Sequence, residues 1–183
     1  MTPETSLMVR VAEALGASGI AYLLVGSFSS NYYGIPRSTK DADFVVELQG
    51  GVGSDFMARL GTDFEADPQL SFETNTGTYR QLIQHTSSPF KVELFLLSKD
   101  PHDQARFKRR VAVWAYGRQI WLPTAEDVII MKVRWARSRD RDDVRAVIGV
   151  QVEKLDWPYI EGWCERHGTW GLLEEIRGTV PIL

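Results

Sequence analysis

Ala21-Tyr22-Leu23-Leu24-Val25-Gly26-Ser27 and, after a thirteen-residue spacer, Asp41-Ala42-Asp43-Phe44-Val45-Val46 decide how this chain reads. The first is a nearly continuous apolar run that stops at Gly-Ser, the pattern of a buried strand that turns sharply into a helix. That helix is expected over Phe28 to Tyr33, ending at Gly34 with Pro36 just beyond. The second segment predicts a strand over Asp41 to Leu48. Side chains alternate along a strand, so Asp41 and Asp43 share one side. Two carboxylates side by side repel each other and resist burial, so a cation is expected to neutralise them. Mg²⁺ suits such oxygen ligands and keeps positions for water and substrate phosphates. Gly26 lets a phosphate approach the backbone, the following helix offers unpaired N–H groups, and the Ser27 hydroxyl adds a hydrogen bond.

Working outward, Leu7, Met8, Val11, Ala12 and Leu15 recur at helical spacing and predict a helix over roughly Pro3 to Leu15. Gly50, Gly51 and Gly53 mark a loop, and Asp55 to Leu60 reads as a short helix. Phe64 to Phe72 is ambiguous. Tyr79 to His85 and Phe90 to Leu97 predict an antiparallel hairpin turning at Ser87-Ser88-Pro89, and Val111 to Ala115 with Gln119 to Leu122 a second strand pair around Tyr116-Gly117. Thr124 is a candidate N-cap, with Asp127 in the capping-box position, for a long helix carrying Ile129, Ile130 and Val133. Another helix is expected over about Arg141 to Ile148, then a helical tail. The fold class is therefore α+β: a mixed β-sheet flanked by helices over residues 1–123, and a helical segment over 124–183 packed on it as one compact unit. If the strand Lys91-Val92-Glu93-Leu94-Phe95 lies beside the Asp41 strand, Glu93 completes a set of three carboxylates. Such a set can hold two Mg²⁺ for in-line phosphoryl displacement, with Glu93 also placed to act as general base.

Length and composition set bounds. A chain of 183 residues with 44% hydrophobic and 25% charged residues can bury a core without covalent staples. The single cysteine, Cys164, excludes an intramolecular disulfide and a cysteine-built zinc site, and reads as a buried thiol. No apolar run is long enough for a membrane span, and the first residues lack a signal-peptide pattern, so a cytoplasmic protein is expected. A net charge of −3 argues against a protein that coats duplex nucleic acid. Two basic clusters, Arg106 with Lys108 to Arg110 and Lys132 to Arg145, read first as solvated helix faces. The tryptophans read as core and helix-packing residues, and His85, His102 and His167 as surface or packing residues.

The order apolar-Gly-Ser, spacer, Asp-x-Asp, later acid on a strand resembles the DNA polymerase β-type minimal nucleotidyltransferases. Within that superfamily, Arg37-Ser38-Thr39-Lys40-Asp41-Ala42-Asp43 is similar to the Arg-x-Thr-x-Asp-x-Asp segment of abortive-infection and toxin–antitoxin nucleotidyltransferases. Lys91 to Phe95 is similar to their third-acid strand, and Thr124 to Lys132 with Arg141-Asp142-Asp143 to their helical segment. The resemblance covers about Tyr22 to Trp163 and implies Mg²⁺-dependent transfer of a nucleoside monophosphate from a nucleoside triphosphate, ATP among the candidates. It places Asp41, Asp43 and Glu93 at the metal, and Gly26, Ser27, Arg37 and Lys40 near the phosphates. Lys132 would reach the triphosphate, and Asp143 would join the site or orient Lys132. The acceptor would be an RNA or tRNA 3′ end, a protein or a small molecule. Two positions depart from the pattern: Ser27 where many relatives carry glycine, and Glu93 where many carry aspartate.

Each residue also has a plainer reading. Glu93 can pair with an arginine such as Arg80, Arg37 with Asp41 or Glu47, and Asp143 with Arg139. Ser27 can be an N-cap and Lys132 a snorkelling lysine. The alternative function is a binding module with the same fold and little or no catalysis, working with a cognate antitoxin or regulator. A plain α+β interaction protein would place Asp41 and Glu93 on opposite sides of the sheet.

Overall fold

A computed structural model describes residues 2–74 and 76–180. The chain begins with α1 (Pro3–Ala17), opened by Thr2, whose hydroxyl accepts from the Thr5 N–H. Then follow β1 (Tyr22–Val25), α2 (Gly26–Tyr33), β2 (Asp41–Val46), α3 (Ser54–Leu60), β3 (Phe64–Ala66), β4 (Ser71–Glu73), β5 (Thr78–His85) and β6 (Lys91–Leu96). After α4 (Pro101–Lys108) come β7 (Val111–Ala115), β8 (Arg118–Leu122), α5 (Ala125–Trp135), α6 (Ser138–Gln151), α7 (Trp157–His167) and α8 (Trp170–Arg177). No helix among the described residues is long and apolar enough to cross a membrane.

The main sheet runs β1-β2-β6-β5-β3, with β4 also on β5. It is mixed, because β2 and β6 are parallel and the other pairs antiparallel. The period-two pattern sorts its residues. Tyr22, Leu24, Phe44, Val46, Val92, Leu94 and Ile83 point to one face, where Met8, Val11 and Leu15 of α1 and Phe56 and Leu60 of α3 cover them. Leu23, Val25, Val45 and Phe95 point to the other face and meet Phe107 of α4. Asp41, Asp43 and Glu93 belong to this second face by the same alternation.

The helices α5 to α8 enclose a separate apolar cluster around Ile129, Val133, Val147, Ile160 and Leu173. They meet the sheet domain through α2. Tyr33 packs against both clusters, and its hydroxyl donates to the Pro123 carbonyl at 2.8 Å. Gly34 approaches α6 so closely that a β-carbon there would stand 3.0 Å from the Val147 nitrogen. α2 and the helical segment are thereby fixed against each other.

Several expectations need correction. The sequence reading has no helix at Pro101–Lys108, although Asp100 caps it by accepting from the His102 and Asp103 N–H groups. The stretch Phe64 to Phe72 supplies two short strands on β5. α6 starts earlier than expected, at Ser138, where Asp140 Oδ2 accepts from the Arg137 backbone N–H at 3.3 Å. The first basic cluster is not a uniformly solvated face, since Arg106 is buried against Asp103. Of the tryptophans, Trp121, Trp157, Trp163 and Trp170 pack half-buried against the core clusters as expected, whereas Trp114 is 77% exposed on the β7–β8 hairpin.

Candidate functional site

The parallel register places Asp43 opposite Glu93 and Asp41 opposite Lys91, while the antiparallel register places Val25 opposite Asp43. The end of β1, the start of β2 and the middle of β6 therefore meet on one face. Immediately after Val25, Gly26 turns into α2 with φ of +64°. A β-carbon on Gly26 would stand 2.1 Å from Asp43 Oδ2. Glycine is required twice here, once for the left-handed backbone and once because the carboxylate occupies the side-chain space.

Burial pushes the Asp43 carboxyl up to about 7, helped by the negative charges of Glu93 and Asp41; Lys132 and Arg137 pull it back in part. Asp43 thus senses the two other acids as like charges. Asp41 is exposed at the start of β2, beside exposed Lys40. Glu93 is engaged differently, with its Oε1 accepting from Arg80 Nη1 at 2.9 Å. Among the described residues, no group of three or more His, Cys, Asp and Glu side chains is arranged to hold a metal ion. Asp41 and Asp43 are two carboxylates on one face, and among the described residues neither is in an ion pair. That donor chemistry fits a hard divalent cation. Glu93 stands beside them and is paired with Arg80.

A second set of polar residues joins α2, the loop before β2, α5 and α6. Arg37 Nε and Nη2 donate to Asp143 Oδ1 and Oδ2 at 2.8 and 3.0 Å, and Nη2 also reaches Ser27 Oγ at 2.9 Å. Asn31 fixes the loop by exchanging two hydrogen bonds with the Arg37 backbone. Lys132 Nζ donates to Asp143 Oδ2 at 2.6 Å and to Asp140 Oδ1 at 3.0 Å, and Ser30 Oγ to Asp143 Oδ2 at 3.2 Å. Arg137 Nε closes the set on Asp140 Oδ2 at 2.7 Å. Burial pushes the Asp143 carboxyl up, but the hydrogen bonds and charges of Arg37 and Lys132 outweigh it and hold the group below the usual carboxylate range. The hydrogen bond that Arg137 donates to Asp140 does most to raise the guanidinium above its ordinary value, with Asp43 among the charges that add to it.

Gly26, Ser27, Arg37, Lys132 and Asp143 are therefore linked, although the last two come from a distant part of the chain. Arg37 pairs with Asp143 rather than with Asp41 or Glu47, and Asp143 with Arg37 and Lys132 rather than with Arg139. Lys132 is only 4% exposed, and its ammonium is turned onto two aspartates, where it braces α5 against α6. Arg137, its side chain 68% exposed and paired with Asp140, faces solvent, as does Lys40. Sequence reasoning did not single out Asp140 or Arg137. Their signal was an acid in the first turn of α6, hidden in a run of alternating charges.

A buried polar cluster lies apart from the acids. Asp127 Oδ1 accepts from His102 Nε2 at 3.0 Å and from the Tyr159 hydroxyl at 2.9 Å, with His102 and Asp127 both fully buried. It ties α4, α5 and α7 together. Asp127, read from sequence as a capping-box residue, is also the centre of this tie.

By sequence, no protein family and no curated protein matches the chain. Solved structures do match its shape. The antibiotic-resistance factor ANT(2'')-Ia aligns in solution with a TM-score of 0.58 at 10% identity, over 96% of this chain and 97% of that one. The same protein in complex with adenylyl-2''-tobramycin aligns with a TM-score of 0.59 at 10% identity, over 91% and 98%. An antigenic nucleotidyltransferase-like protein from Paracoccidioides brasiliensis aligns with a TM-score of 0.55 at 16% identity, over 95% and 91%. At these identities the likeness is one of architecture, and the fold of this chain is that of the minimal nucleotidyltransferases.

Proposed function

We propose that the chain is a Mg²⁺-dependent nucleotidyltransferase that moves a nucleoside monophosphate from a nucleoside triphosphate to an acceptor hydroxyl. One observation carries this reading: Asp43, wedged against Gly26 and opposite Glu93, has its carboxyl raised by burial and by the neighbouring acids. A fold seldom keeps an acid at such cost without a cation to meet it. Asp41 and Asp43 would hold the metal, and with Glu93 the set would hold two ions. Bound Mg²⁺ supplies charge neutralisation for the triphosphate and lowers the pKa of the acceptor hydroxyl.

The chain's own residues do the rest. The Gly26 turn and the start of α2, with Ser27, receive phosphate oxygens. Arg37 holds the Ser27 hydroxyl in place from its clamp on Asp143, while Arg137 and Lys40 add positive charge at the solvent side. The acceptor oxygen attacks the α-phosphorus, the α–β anhydride bond breaks, pyrophosphate leaves, and the hydroxyl proton passes to a carboxylate of the set. The acceptor is an RNA 3′ end, a protein or a small molecule. The ANT(2'')-Ia complex with adenylyl-2''-tobramycin lends support to a small hydroxylated acceptor.

The test is incubation with each α-³²P-labelled triphosphate, Mg²⁺ and, separately, total RNA, cell lysate and a panel of aminoglycosides. Label transferred by wild type but not by Asp41→Ala/Asp43→Ala supports the reading. Equal labelling by both proteins overturns it. The second reading, a binding module paired with an antitoxin or regulator, draws on the Arg80–Glu93 ion pair, which satisfies the third acid without metal. It predicts no transfer to any acceptor and no Mg²⁺-dependent stabilisation by triphosphates.

A further inference from the structure

Arg80 sits on β5 opposite Phe95, and Glu93 sits on β6 opposite Leu82. The two are diagonal neighbours on the face that carries the acids, within reach only of long side chains. Their ion pair spans 2.9 Å, with side chains 31% and 26% exposed. The match to Glu93 is incomplete on the arginine side. Arg80 Nε is shielded from solvent and has no hydrogen-bond partner among the described residues. A buried N–H without an acceptor costs free energy, so this guanidinium does not lie in a site fully built to keep it. Asp43 lies directly across from Glu93, and Asp41 two residues before it on the same strand face. The Arg80 ion pair therefore leaves both aspartates to be met by another cation.

We propose that Arg80 is a positioning residue that competes with the divalent cation for Glu93. In the metal-free protein it occupies the third carboxylate. When a cation is held by Asp41 and Asp43, Glu93 is surrendered to it, and the freed guanidinium stays on the same sheet face, where it meets the polyphosphate. The exchange keeps Glu93 paired throughout and brings one positive charge to the nucleotide only after metal has entered. Metal therefore binds before triphosphate, and the Arg80–Glu93 pair sets the metal affinity. This inference rests on the nucleotidyltransferase reading above.

The experiment measures Mn²⁺ binding by electron paramagnetic resonance on wild type, Arg80→Met, Arg80→Lys, Glu93→Gln and the Arg80→Met/Glu93→Gln pair. Binding of a non-hydrolysable triphosphate is then measured at saturating Mn²⁺. Arg80→Met should tighten Mn²⁺ by about three- to tenfold, the range of a half-buried ion pair. The same change in the Glu93→Gln background should leave Mn²⁺ affinity within about twofold, because the competition is gone. Triphosphate binding should weaken in Arg80→Met, and Arg80→Lys should fall between. Equal tightening of Mn²⁺ in both backgrounds would mean that Arg80 acts only through its charge at a distance, and overturns the proposal. Loss of both metal and triphosphate affinity in Arg80→Met and Arg80→Lys alike would mean structural damage, and also overturns it. Wild type that binds no Mn²⁺, or binds it equally after Asp41→Asn/Asp43→Asn, removes the metal reading itself. Those results are distinct from a failure confined to Arg80.

Discussion

Replacing Asp43 by asparagine should stabilise the protein while abolishing nucleotide transfer, and the stabilisation should depend on pH. The folded-state carboxyl of Asp43 lies at about 7, above the ordinary value of 3.8. A raised acid binds its proton more tightly in the folded state, so stability falls as pH rises from the unfolded to the folded value. One unit corresponds to about 1.36 kcal/mol, so from about pH 5 to pH 8 the wild type should lose about 2–3 kcal/mol through this one group. An asparagine side chain has the same shape and cannot ionise. Urea unfolding of wild type and Asp43→Asn, both in EDTA, reads the effect of Asp43 and the acids coupled to it, because titrations elsewhere in the chain cancel in the difference. The variant's advantage should widen by about 2–3 kcal/mol between about pH 5 and pH 8. Added Mn²⁺ should then narrow the gap at pH 8 by stabilising only the wild type. A gap that stays constant over that range would show that Asp43 is not crowded by its neighbours, and would remove the chief support for a cation site.

Gly26→Ala should cost about 2–3 kcal/mol in urea unfolding, through a left-handed backbone and a collision with the Asp43 carboxylate, and should abolish triphosphate-dependent thermal stabilisation. A loss below about 0.5 kcal/mol would show that the turn has more room than the structure gives it. Lys132→Met leaves buried Asp140 and Asp143 without their shared ammonium, and should lower unfolding free energy by about 3 kcal/mol; an unchanged urea midpoint would contradict the bracing role. Asp127→Ala strips His102 and Tyr159 of a common partner and should cost about 2–4 kcal/mol. Nucleotide labelling per folded molecule should persist in that variant, since the cluster lies outside the proposed site.

Much of the fold was legible because local patterns agreed with the tertiary outcome. Gly26 marked the turn into α2, the alternation in β2 put Asp41 and Asp43 on one face, and Thr124 marked the start of α5. The placement of Glu93 beside Asp43 was legible only conditionally, because strand order is a long-range property that no local pattern carries. α4 escaped notice because its sequence, PHDQARFK, has little apolar periodicity; it buries His102, Asp103 and Arg106 along with Phe107, and polar residues buried in pairs look like surface in a sequence. The same reason hid Asp140, which is 1% exposed and matched by Lys132 and Arg137. Lys132 and Asp143 were chosen by resemblance, and their mutual hydrogen bond required the packing of α5 on α6. The Arg80–Glu93 pair stood as one alternative for Glu93 and proved to be the contact present.

The most direct test of the central claim is a crystal grown with Mn²⁺ and a non-hydrolysable nucleoside triphosphate, read by anomalous scattering. A Mn²⁺ peak bridging the Asp41 and Asp43 carboxylates is expected, with Glu93 released from Arg80 and triphosphate oxygens at the Gly26-Ser27 turn. Triphosphate and metal bound together elsewhere, with Glu93 still on Arg80 and the two aspartates free of metal, would contradict it.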